Sequence, residues 1–137
     1  MKKVIEDVVD AKNGMPKSQK RPARFAGLTG ICNTLDVICL VGTLCRLFGL
    51  SVQEALLIDC HQLHSLKKQI LRSCDARLVI NGRAHMITVS NQDIAIRILG
   101  RALRIAAHME GYCLLPAFGR RARLEETTRI CESFVAG

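Results

Sequence analysis

The chain has 137 residues, 49% of them apolar, and a formal net charge of +8. That length predicts one domain with a modest core, and that composition excludes an intrinsically disordered chain. The excess positive charge predicts attraction to polyanions and leaves the fold open.

Residues 1–27 read as a basic flexible arm. The stretch KNGMPKSQKRPARFAG holds two prolines, two glycines and five cations, with almost nothing to bury. Two readings stay open here: a solvated tail, or an arm that lies along a phosphate backbone.

Residues 28–48 read as a helix, with Leu35, Ile38, Val41, Cys45 and Phe48 at three- and four-residue spacing. Val37, Leu40, Leu44 and Leu47 add a second apolar row, a surface wide enough to suggest burial on two sides, as in a dimer. Gly49 suits a left-handed stop. Ser51 with Glu54, and Asp59 with Gln62, are capping-box pairs. They predict two short helices, about 52–58 and 60–73, joined by a tight corner.

Leu78, Val79 and Ile80 lead into Asn81-Gly82, a preferred two-residue hairpin turn, and Met86, Ile87 and Val89 follow. This predicts two short strands or an extended linker. Ser90 with Asp93 reads as a third capping box, opening a helix over about 91–110. Its apolar stripe is Ile94, Ile98, Ile105 and Met109, and Gly111 closes it. Arg97, Arg101, Arg104 and His108 form another row at helical spacing. Leu114 to Gly119 reads as a loop, Arg120, Arg121 and Arg123 follow, and a last helix covers about 124–134.

Charge divides the chain into parts. Residues 1–24 hold seven basic and three acidic residues, net +4; residues 25–76 hold four of each; residues 77–137 hold nine arginines and five acids, again net +4. The C-terminal cations are all Arg, whose planar fork suits phosphates and guanine edges. The seven cysteines include no CxxC pair, and MKKVIEDVVD carries acids where a signal peptide has its apolar run. A reducing cytoplasm, without disulfides, is expected. The longest apolar run, Val37 to Leu44, is far short of the roughly 20 residues that span a bilayer, so no membrane is expected as a partner.

No glycine-rich phosphate loop, G-x-S-x-G or H-E-x-x-H motif occurs, and the acids are scattered, so an enzyme is not expected. The best metal candidate is Cys60, His61 and His64 with Cys74 or His85, but it lacks paired C-x2-C spacing. Cys60 as a small buried residue and His64 as a surface one is the commoner outcome, and no cofactor or metal is expected. The remaining cysteines read as core. The Arg row is a solvated face, partly paired with Asp93 and Glu110, or a phosphate-contacting surface. The second is favoured because Arg120, Arg121 and Arg123 share the same basic third. Asn91, Gln92 and Arg97 sit where recognition-helix residues often do, and Arg83 adds a further cation.

The order of motifs is RLFGLS, VQEALLID, CHQLHSLKKQI, RLVING and IAIRILGRALRIAAHM. It resembles the D subunit of the flagellar master transcriptional activator, the FlhD family, over about residues 33–110. The resemblance implies an all-α fold: an intertwined helical homodimer, with a short extended segment or hairpin near 76–89. It implies assembly with a zinc-binding C-type activator subunit, binding of double-stranded promoter DNA, and recruitment of RNA polymerase. The family includes relatives carried by conjugative mobile elements that switch on transfer genes. Its DNA contacts, assigned to the C-terminal part, map here to Ser90, Asn91, Gln92, Asp93 and the helix after them. The longer basic arm and the tail after Gly111 depart from the family pattern. Cys74 is out of register with an intersubunit cysteine of some members, so no disulfide is carried over.

The expected organisation is a basic arm at 1–27 and a helical dimerisation and DNA-binding domain at 28–137. The expected DNA contacts are Arg83, Asn91, Gln92, Arg97, Arg101, Arg104, Arg120, Arg121 and Arg123. The competing expectations are a protein-binding adaptor or anti-regulator whose charge serves solubility, and a small zinc protein.

Overall fold

In chain order the computed structural model runs α1 (Thr34–Phe48), α2 (Val52–Leu57), α3 (Cys60–Arg72), β1 (Asp75–Ile80), β2 (Arg83–Thr88), α4 (Gln92–Ala106) and α5 (Leu124–Ala136). Two 3-10 turns, Glu110–Tyr112 and Leu115–Phe118, link α4 to α5. Residues 33–136 are described; the arm at 1–27 and the start of the helix expected from residue 28 lie outside the described residues.

Asp36 in the first turn of α1 and Arg46 in the last suit the helix dipole. Gly49, at φ +66, ends the helix in the left-handed region, and its N–H donates to the Cys45 carbonyl at 3.0 Å. Val37, Leu40, Val41, Leu44 and Phe48 are all buried, so both apolar rows of this helix are used. They are covered from within the chain, by α2, α4, α5 and the Leu115–Phe118 turn. The width of the apolar surface therefore reflects several intrachain neighbours, and it gives no ground for an intertwined partner.

Two of the three expected capping boxes are present. Glu54 N–H donates to Ser51 Oγ at 3.1 Å, and Ser51 N–H to Glu54 Oε1 at 2.8 Å. Gln62 N–H donates to Asp59 Oδ1, and Asp59 N–H to Gln62 Oε1, each at 3.0 Å. Leu63, Leu66 and Ile70 on α3 are fully buried, and α3 packs on α4 and β1.

The expected all-α class is corrected. The protein is mostly helical (66%) but carries a two-stranded antiparallel sheet, which makes it mixed α/β. The cause is local. Asn81 and Gly82 adopt φ 51 and 77, the positive pair of a tight hairpin turn whose twist matches the strands. Ile80 then faces Arg83 and the ladder runs to Asp75 opposite Thr88. Ala76, Leu78 and Ile80 point inward in strict alternation along β1.

The long helix also differs from expectation. Its cap is Asn91, one residue past Ser90, with Oδ1 accepting the Ile94 N–H at 3.0 Å. It ends at Ala106, and its buried residues are Ala95, Leu99, Ala102, Leu103, Ile105 and Ala106, so of the expected stripe Ile105 is buried. Ile94 is 43% exposed. Small alanines make up half of the buried residues. The Leu114–Gly119 stretch is a 3-10 turn with Leu114 and Ala117 fully buried, not an open loop. No helix among the described residues is long and apolar enough to cross a membrane.

Candidate nucleic-acid interface

Arg97, Arg101 and Arg104 lie three and four residues apart on α4, and all three are exposed. Their helix side is opposite Ala95, Leu99, Ala102 and Ala106 at 100° per residue, so burial of that alanine face turns the row to solvent. His108, just past the helix, is exposed too. Asp93 and Glu110 were the expected counter-ions, but none of these arginines is in an ion pair. Like charges at this spacing repel one another, so the row is held by its helix and not by partners.

The other expected contacts sit elsewhere. Arg120, Arg121 and Arg123 are exposed on the connection into α5, where the Ala122 N–H donates to the Gly119 carbonyl at 3.0 Å. Arg83 is exposed at the start of β2, across the ladder from Ile80. Asn91 and Gln92 have structural tasks. The Asn91 carboxamide oxygen caps α4, and Gln92 Nε2 donates to the Ile70 carbonyl at 2.7 Å, tying the start of α4 to the end of α3. The half-buried Gln92 thus has its Nε2 engaged by α3.

The residues of the zinc alternative do not converge. Among the described residues, no group of three or more His, Cys, Asp or Glu could hold a metal ion. His85 Nε2 lies 3.0 Å from Glu54 Oε2, close enough for an ion pair but not aligned as a hydrogen bond. Glu54 is held below the usual carboxylate range, first by the Ser51 N–H, then by His85 and Arg83. Burial pushes the Cys60 and Cys113 thiols up, and Cys131 up to about 11. Such thiols are poor nucleophiles; Cys131 is buried as expected, while Cys60 and Cys113 are half-buried. Of the other cysteines expected in the core, Cys45 is half-buried and Cys39 is exposed. Cys32 lies outside the described residues.

No family model, no curated protein and no solved structure matches this chain.

One feature was missed at the level of sequence. His61, His64, Ser65, Lys68, Gln69, Arg72 and Asp75 line a groove of about 580 Å³ along α3. The signal was the spacing of 61, 64, 68 and 72, which places four basic-type side chains on one helix face.

Proposed function

We propose that this chain is a non-enzymatic, DNA-binding subunit of a transcriptional activator of the FlhD type. It acts with a zinc-binding C-type subunit on flagellar or conjugative-transfer promoters and brings RNA polymerase to them. The observation that carries this is the Arg97, Arg101 and Arg104 row: exposed, aligned and without an ion-pair partner. Such a row lowers its own repulsion by meeting phosphates, and Arg fits them bidentately. Arg120, Arg121 and Arg123 add cations of the same kind. A mobility-shift assay on promoter DNA tests this. R97E/R101E/R104E should weaken binding and flatten its salt dependence, and unchanged binding by that variant removes the proposal.

A second reading, a protein-interaction adaptor, is favoured by one observation. Ile130 and Phe134, one turn apart on α5, are 49% and 57% exposed. Apolar side chains so placed suit a protein partner. An adaptor of this kind shows no retention on DNA at physiological salt, which separates it from the first reading.

A further inference from the structure

Helix α3 presents two opposed faces. Leu63, Leu66 and Ile70 are buried against α4 and β1. On the opposite side His61, His64, Lys68 and Arg72 recur at three- and four-residue spacing, all exposed and none in an ion pair. They line the groove of about 580 Å³, which is open to solvent along the helix. Asp75 is its one acid, and its Oδ1 accepts the Thr88 hydroxyl at 2.8 Å. The row spans about 16 Å of helix axis, over which one strand of duplex DNA carries about five phosphates.

The shape and chemistry of the groove narrow what it takes. A small anion is held by enclosure, and this trough does not enclose. Base reading needs free hydrogen-bonding groups, and the Gln69 amide is committed. Its Nε2 donates to the Arg77 carbonyl at 2.9 Å, and its Oε1 accepts the Arg77 N–H at 2.8 Å. What remains is a line of charge, which positions a phosphate backbone without reading it. The line also ends beside the DNA-facing helix. Gln92 Nε2 bonds the Ile70 carbonyl at 2.7 Å and the Val89 N–H bonds the Cys74 carbonyl at 2.8 Å, so the Arg72 end of α3 is pinned to the start of α4.

We infer that the α3 groove is a second track for a nucleic-acid phosphate backbone, carried by Lys68 and Arg72 with His61 and His64 along the same line. The inference rests on the DNA-binding reading above but uses different residues, so the two fail separately. The test uses the full chain, an arbitrary duplex of about 25 base pairs, and affinity measured across a KCl series, because each phosphate contact contributes about 0.9 to the log–log salt slope. K68Q/R72Q should reduce that slope by about two, R97Q/R101Q/R104Q by about three, and the combined variant by about five. A K68Q/R72Q variant with the wild-type slope and affinity, beside an α4 variant that loses both, overturns the groove and leaves the α4 reading standing. Loss in K68Q/R72Q with an unaffected α4 variant supports the groove and removes the α4 row. Wild-type protein that does not bind the duplex at the lowest salt overturns both.

Discussion

Glu54 joins three parts of the molecule through one carboxylate. It accepts the Ser51 N–H, closes the cap of α2, and faces His85 on β2. Its pKa is lowered in the fold, chiefly by that backbone bond. A depressed carboxylate stabilises above its unfolded pKa and loses that contribution as pH falls through the folded value. Glu54→Ala should therefore cost about 1 kcal/mol at neutral pH. The gap between wild type and variant should narrow below roughly pH 4. Glu54→Gln keeps an acceptor oxygen without the charge, so it should retain much of the cap and show a flatter pH response. Urea denaturation at pH 7 and pH 3 measures all three, and a pH-independent gap for Glu54→Ala would place the role of this residue outside its charge. The cap itself was legible in the sequence, because Ser51 and Glu54 are three residues apart and need no distant partner. The His85 contact was not, because it depends on where the hairpin folds back. The bond of Gln92 was not legible for the same reason: its partner, the Ile70 carbonyl, is 22 residues away.

Among the elements, α4 separates what local pattern can and cannot decide. The Arg positions were legible, because a charged side chain on a half-buried helix has one direction to go. The buried face was not. Ile94, Ala95, Ile98, Leu99 and Ala102 are all apolar, and hydropathy alone does not choose between neighbouring stripes; packing against α3 and α1 buries Ala95, Leu99 and Ala102 and leaves Ile94 exposed. The width of α1 was likewise legible, but not whether its cover comes from this chain or another. The hairpin was legible because Asn81-Gly82 sets its own turn. Its edge is closed by a device no pattern signals, the Gln69 and Gln62 amides bonding Arg77 and Val79 on β1. Gly100 gives the test for this scale. It lies inside α4, and a Cβ placed there meets nothing within 4 Å. Glycine costs a helix interior roughly 0.5–1 kcal/mol relative to alanine, so Gly100→Ala should stabilise the protein by about that amount. Thermal and urea unfolding read it directly, and a loss of stability would mean that α4 needs the flexibility or the room of a glycine.

Among the described residues, little of the charge is arranged to stabilise the fold. Among the described residues the ion pair formed is Glu54–His85, while Arg97, Arg101 and Arg104 face water beside one another. Arg101 stands between the other two, four residues from Arg97 and three from Arg104, so it takes part in both repulsive pairs. Arg101→Glu converts each into an attraction. Each such helical pair is worth about 0.2–0.5 kcal/mol in either sense, so the change should stabilise the free protein by roughly 1–2 kcal/mol at low salt. The gain should fade as salt screens exposed charges, and the same variant should bind DNA more weakly with a shallower salt slope. Opposite movement of stability and affinity is the signature of a residue kept for its ligand and not for the fold. Unfolding in low and in 1 M KCl, paired with duplex binding by the same preparation, measures both. If Arg101→Glu lowers the melting temperature, Arg101 supports the fold, and the row is no longer evidence for a phosphate-binding face. If stability rises while DNA binding is unchanged, the charge is a solvated surface, and the exposed Ile130 and Phe134 become the better guide to what this protein meets.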